Sequence, residues 1–399
     1  MSKITAAVGL MFLCLGLCTF VNTSQAEDSP PIVIGIDADM SGSASDGGKA
    51  IYRGAKIAVD EINRSGGVLG RPLRLEIKDH RGNPARGLRN LKAFSETDNL
   101  VAVLGGVHTP VILQELDFLH QQSMLMLVPW AAGTAIVDNG HTPNFVFRAS
   151  IRDSEAATII LNSIKTRGLS RVALILERTG WGRSNQASMT QIAKQLNIEI
   201  VHVSWINWRQ KTFEDEMHLI AQSAPDAVVL VTNAPEGAVA VSALLQNNAT
   251  RSLPVVSHWG IAAGSFVETL GLPALQSLDL RVLQTFHFSN ASDPVLAERV
   301  LESYRAQFDD DATSHNIPGA VGLAHAYDLV HMLRLAIIKA QAIDADSVRQ
   351  GLKMLTAYKG LVKSYKTPFA DVQDALWSQD YLLTEYNQSG FLTPIVDSP

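Results

Sequence analysis

The stretch from Pro31 to Arg86 constrains the fold of this chain more than any other. A short apolar run, Ile32 to Ile36, leads into a loop of small residues, Met40 to Gly48. The next segment repeats Ile51, Ala55, Ala58 and Ile62 on one helical face and stops at Ser65-Gly66-Gly67. A second strand begins near Leu73. The result is a β-loop-α-β unit whose first loop opens at the carboxyl end of a strand. In open α/β sheets that edge is where ligands bind.

The same alternation continues to about Phe288. Strands are expected at 101–104, 124–128, 172–176, 227–231 and 254–256. Short apolar runs bounded by polar residues or Gly suit parallel strands buried on both faces. Helices are expected over 153–165, 184–196, 213–223 and 236–246. Together they predict an α/β fold with parallel sheets and right-handed crossovers. One sheet holding all these strands would be unusually wide. Two sheets are therefore expected, the first ending at Phe145 to Ser150 and the second series restarting at Arg171. In the tail, Pro318 opens a long apolar helix ending near Gln341, and Asp344 to Leu355 forms another. After Tyr358 the pattern turns strand-like and irregular.

A chain of 399 residues with 46% hydrophobic and 18% charged residues is globular and large enough for two or three domains. Its formal charge of -6 gives no basic excess for nucleic acid or an anionic membrane. The first 26 residues read as a secretory signal, removed near Ala26. Lys3 is the positive end, Ala6 to Val21 the apolar core, and Ser24-Gln25-Ala26 the small-residue cleavage site. The apolar core is short of the roughly 20 residues that span a bilayer. No later run is expected to span one. Cys14 and Cys18 both lie in this leader and follow Leu13 and Leu17, where a lipoprotein would carry small residues. The exported chain is thus expected to hold no thiol or disulfide.

Parallel strands send their loops to one edge of each sheet. These loops are 40–45, 105–110 and 129–134 in the first half, then 178–183, 233–237 and 257–261. They are rich in Gly, Ser, Thr, His and Trp, the make-up of a small-molecule pocket. Ser41, His108, Thr109, Trp130, Trp181, Asn233, Glu236, His258 and Trp259 are the candidate contacts. Several have structural alternatives that the sequence leaves open. Gly105-Gly106 also suits a tight turn, and Thr109-Pro110 a helix start, which itself attracts anions. The tryptophans also suit a core. Glu236 also suits the first turn of a helix, where a carboxylate favours the dipole.

No catalytic constellation is visible. There is no Gly-x-Ser-x-Gly elbow and no Walker loop, and 42–48 lacks dinucleotide spacing. Asp37 and Asp39 are not expected to work as a general acid–base pair, and His108 and His258 lack metal-ligand spacing. The reading is a binding protein, not an enzyme, with no cofactor and no metal.

The segments VIGIDADMSG, Ala58-Val-Asp-Glu-Ile-Asn63, the Gly66-Gly-Val-x-Gly70 turn, Asp79 and Asn83-Pro84 resemble the branched-chain amino-acid-binding type of ABC-transporter solute-binding protein. VAVLGGVHTPV, MLVPWAAGT and FRASIRD occupy the places of further family motifs, and the resemblance runs from Ile32 to the C-terminus. It implies the type I periplasmic binding protein fold, in which two Rossmann-like lobes joined by three hinge crossings close on a solute. On that pattern residues 31–148 and 287–358 form lobe 1, and 149–286 and 359–399 form lobe 2. The implied partners are a small-molecule solute and an ABC-type membrane permease. The implied protein is a periplasmic monomer. A membrane sensor is the alternative recipient. By position, His108, Thr109, Ala131 and Thr134 meet the solute's polar head, and Trp181 is a lobe 2 wall. Where family members use a second-lobe acid for a ligand ammonium, this chain has His258 and Trp259. A buried ammonium without a carboxylate is costly. The expected ligand is therefore a carboxylate, amide or aromatic solute, and not an ordinary branched-chain amino acid.

Overall fold

The computed structural model describes residues 30–395, so the leader and both cysteines lie outside the described residues. The first sheet is built from β1 (Ile32–Ala38), β2 (Leu73–Asp79), β3 (Leu100–Gly105), β4 (Met126–Val128) and β5 (Val146–Arg148). All pair in parallel in the order β2-β1-β3-β4-β5. Helices α1 (Ser45–Arg64), α2 (Pro84–Ser95) and α3 (Thr109–Gln121) connect them. β1 is buried at every position, as its unbroken apolar run requires.

The chain then crosses at 149–152 into α4 (Asp153–Lys165) and a second parallel series. Its strands are β6 (Arg171–Glu177), β7 (Glu199–Ile206), β8 (Ala227–Val231), β9 (Val255–Ser257) and β10 (Leu280–Gln284). Between them lie α5 (Gly180–Leu196), α6 (Glu214–Gln222), α7 (Ala234–Gln246) and the short α8 (Phe266–Leu270) and α9 (Leu272–Gln276). A second crossing, 285–293, leads to α10 (Pro294–Gln307), α11 (Ala320–Ala340) and α12 (Ala345–Lys353), which pack back on the first lobe. A hairpin of β11 (Tyr358–Lys359) and β12 (Ser364–Tyr365) follows. The third crossing returns the chain to β13 (Leu382–Tyr386) and β14 (Leu392–Pro394). These two add antiparallel to β10, giving the order β14-β13-β10-β9-β8-β6-β7. The expected α/β class with two parallel sheets is therefore the observed fold.

Several boundaries move for local reasons. α5 starts at Gly180 instead of Ser184, because the Thr179 hydroxyl accepts the Gly182 N–H and caps the helix. The loop after β1 is shorter than expected, since α1 begins at Ser45. α11 begins at Ala320, after Gly319 in the left-handed region, and not at Pro318. α11 is also apolar enough to meet the length and hydropathy test for a membrane span, contrary to the expectation. It is 78% buried, so its apolar surface is that of a core helix. It packs on α1 at Gly54, where a Cβ would stand 2.0 Å from the Leu323 carbonyl oxygen.

The first and third crossings are clasped together. Arg148, fully buried, pairs with Asp374 and donates to the Gly133 carbonyl at 2.8 Å. Arg152 binds Asp374 at 2.9 Å and also pairs with Asp138. The main chains of Arg148 and of Gln373 and Ala375 hydrogen-bond on either side.

Candidate functional site

The two sheets point their strand-end loops at one another. Between them lies a cavity with about 320 Å³ of empty space, its mouth included. From lobe 1 it is lined by Val107 to Pro110 at the start of α3, and by Trp130 and Ala132 after β4. From lobe 2 come Glu177, Thr179 and Trp181 at the β6–α5 turn, Trp208 after β7, Asn233 after β8, and Trp259-Gly260 after β9. Four tryptophans thus wall a space entered by the N-terminus of a 13-residue helix. The lobes touch directly. Trp130 and Trp259 have ring centroids 5.4 Å apart, and His108 and Trp208 5.6 Å apart. The Thr134 N–H also donates to the Ser184 hydroxyl at 3.2 Å.

Of the residues expected at the site, His108, Thr109, Trp130, Trp181, Asn233 and Trp259 come together on this wall. The others do not reach it. The Ser41 hydroxyl donates to Asp79 at 2.6 Å and ties the β1 loop to the end of β2. Ala131 is buried in the apolar cluster behind the wall. Thr134 serves the lobe contact, and its hydroxyl accepts the Ser154 N–H. Glu236 accepts the Arg209 N–H at 2.8 Å, which fixes the loop carrying Trp208. His258 is fully buried behind the wall. Its Nδ1 accepts the Trp259 N–H at 2.9 Å and its Nε2 stands 3.3 Å from Asp153. Asp153 also accepts the Trp181 indole N–H at 3.2 Å, so His258 and Asp153 set the pose of two wall tryptophans. Gly260 makes room for that arrangement, because a Cβ there would come within 2.6 Å of the Trp181 ring.

Two wall residues, Glu177 and Trp208, lie outside both the candidate contacts and the loops expected from the sequence. Glu177 is 1% exposed, and both its oxygens accept from the Asn233 amide at 3.0 and 2.9 Å. Burial, and then the nearby charge of Glu236, pushes its carboxyl well above the usual range. The second lobe therefore carries an acid at the cavity, at a position other than 257–261, and its surroundings favour the protonated form. Its signal was a charged residue closing the apolar run Val172 to Leu176.

In lobe 1, His108 turns its Nε2 to Asp39 at 3.1 Å, with both side chains buried. Asp39 also accepts the Gly42 and Ala44 N–H groups. Burial works against its charge, but the His108 hydrogen bond and pull, with the two main-chain donors, hold it down at about 2. Asp37 does not join Asp39. It faces Glu115 of α3 and accepts from Asn90 at 2.7 Å, and burial raises it to about 7.

Two lobes that enclose one aromatic-walled cavity have the form of a protein that captures a small molecule. The comparisons agree with that class. The model for the family described as periplasmic binding protein matches residues 31–390. The Leu/Ile/Val-binding protein BraC3 of Rhizobium johnstonii is 28% identical over 333 residues, covering 81% of this chain and 83% of that protein. A periplasmic binding protein type 1 from Bordetella pertussis Tohama I superposes with a TM-score of 0.82 at 20% identity, covering 92% of this chain and all of that one. A solute-binding protein of an ABC transporter from Rhodopseudomonas palustris HaA2, in complex with p-hydroxybenzoic acid, superposes at 0.77 with 16% identity, covering 93% and 98%. The chain belongs to the periplasmic binding protein family. The relatives it matches in sequence are named as binding proteins.

Proposed function

We propose that this chain is an exported receptor that closes its lobes on a small aromatic carboxylate and delivers it to an ABC-type permease. The observation that carries the reading is the wall of four tryptophans drawn from both lobes around the start of α3. The dipole at that helix start favours a carboxylate. The indole faces favour a flat apolar body. Glu177, its carboxyl pushed up by burial, favours a hydrogen-bonding ring substituent such as a hydroxyl over an ammonium. The p-hydroxybenzoic acid held by the Rhodopseudomonas protein has this chemistry. The leader at residues 1–26 supports a periplasmic location, with the chain acting as a monomer.

Isothermal titration calorimetry with p-hydroxybenzoate, benzoate, leucine and isoleucine tests the reading. The aromatic acids are expected to bind, and at 100 times Kd to add about 2.7 kcal/mol of stability. Tighter binding of leucine or isoleucine would overturn it.

A further inference from the structure

The roomier hollow in this molecule is not the cleft. A groove with about 1040 Å³ of empty space, its mouth included, opens beside it. One side belongs to lobe 1, namely Asp46 at the start of α1 and the 314–319 loop before α11. The other belongs to lobe 2, namely the loop after β9, α8 and the β13–β14 turn. The second crossing, Gln284 to His287, joins the two sides. Trp130 separates the groove from the cleft. A Cβ on Gly319 would stand 3.3 Å from its ring, and one on Gly47 3.5 Å from the ring and 3.6 Å from the Ala263 Cβ.

The lining has a definite chemistry. Phe286, Ile317 and Phe391 give it an apolar wall. Asp46 and Glu268 are its only acids, and among the described residues neither is in an ion pair. No Lys or Arg lines the groove. His287 is 7% exposed and its Nε2 has no hydrogen-bond partner. The Ser289 N–H donates to its Nδ1 at 3.2 Å, so the neutral ring carries its proton on Nε2. The Leu392 main chain also lies close to the ring. Burial, and then the neighbouring His315, holds the imidazole below its ordinary value.

We propose that this groove is a second ligand site, for a small amphipathic amine with an aromatic body, one positive charge and one hydrogen-bond acceptor. The two acids favour the cation and disfavour an anion. The apolar wall takes the ring, and the His287 Nε2–H meets the acceptor. Because the walls come from both lobes, an occupant holds the lobes in this closed relation and tightens the cleft for its solute. That coupling rests on the cleft reading given above; the site itself does not.

The test is calorimetry with tyramine and with tyrosol, its uncharged alcohol counterpart, on the wild type, Glu268→Lys and Asp46→Asn. Tyramine is expected to bind more tightly than tyrosol. Glu268→Lys should weaken tyramine about fivefold or more, and Asp46→Asn somewhat less, with p-hydroxybenzoate affinity unchanged in both. Equal affinity for tyramine and tyrosol, an unchanged tyramine affinity in both variants, or no binding of tyramine up to millimolar concentration would each overturn the site. Saturating tyramine should raise p-hydroxybenzoate affinity several-fold, and an unchanged affinity overturns the coupling. Failure of every aromatic acid to bind the wild type counts against the cleft reading and leaves the tyramine result standing.

Discussion

The first strand of each sheet leads into a buried acid near the cleft, and their surroundings push the two acids in opposite directions. β1 runs directly into Asp39, and β6 ends on Glu177. Both are almost fully buried. Asp39 is surrounded by donors, His108 and two main-chain N–H groups, which outweigh burial and keep it ionised. Glu177 has only the Asn233 amide and faces the like charge of Glu236, so burial wins. Donor count and neighbouring charge, not residue type or depth, decide the state. Lobe 1 thereby gains a charged anchor under α3, and lobe 2 a hydrogen-bonding group on the cavity wall whose charge is disfavoured.

The most forceful way to break this comparison is to neutralise each acid in turn. Asp39→Asn removes the charge and one of the two oxygens that serve His108 and two N–H groups, and should cost about 3–5 kcal/mol. Glu177→Gln should cost far less in the same urea-unfolding experiment, since burial favours the protonated carboxyl that an amide resembles. Equal losses would mean that the two acids share one state.

A pH series sharpens the point. Burial raises Asp37 and Asp328 to about 7, and raises Glu115 and Glu177 well above their usual range. A folded-state pKa above the unfolded value stabilises fully below about pH 4 and is lost as pH rises through the folded value. Asp39 has the opposite sign. Its contribution is complete above about pH 4 and is lost as pH falls toward the folded value of about 2. Stability should therefore fall on both sides, and Glu115→Gln should lift the alkaline side by on the order of 1–3 kcal/mol at pH 8. Urea midpoints between pH 2 and 8 check this, and an alkaline side that Glu115→Gln leaves unchanged contradicts it.

Two smaller effects separate wall from hinge. Trp181→Ala removes a lobe 2 wall whose indole is pinned by Asp153, and should weaken an aromatic acid about 30-fold by calorimetry. Ser184→Ala removes the acceptor of the Thr134 N–H, a bond between the lobes. It should weaken the same solute by up to about fivefold, almost all of it in koff by stopped-flow tryptophan fluorescence.

Much of this architecture can be read from particular residues. The run Ala227 to Val231 is β8 and Asp153 to Lys165 is α4, residue for residue, because one is wholly buried and the other has clean helical periodicity. β7 escapes the same reading, since at the sheet edge it is only partly buried and carries Glu199, His202 and Ser204. Trp208 was hidden with it, as the residue just past an unrecognised strand. The loops around the cavity were legible as loops, but the direction of each side chain was not. Ser41 and Glu236 satisfy nearby backbone or acid partners, and Asp153 draws His258 inward. Those partners are distant in sequence and adjacent only after folding.

The pairing of β13 and β14 with β10 also bears on how the chain reaches its native state. Every parallel strand of the second sheet is made by Gln284, yet the flank of β10 is completed only by residues 382–394, about a hundred residues later. Until then β10 presents an open hydrogen-bonding edge, a template for pairing with another chain. In the first sheet β1 to β5 are contiguous in the order of synthesis, and its late pairing is confined to the short bridge between Arg148 and Asp374. Lobe 2 is thus the half that depends on being held apart from its neighbours while the rest of the chain emerges.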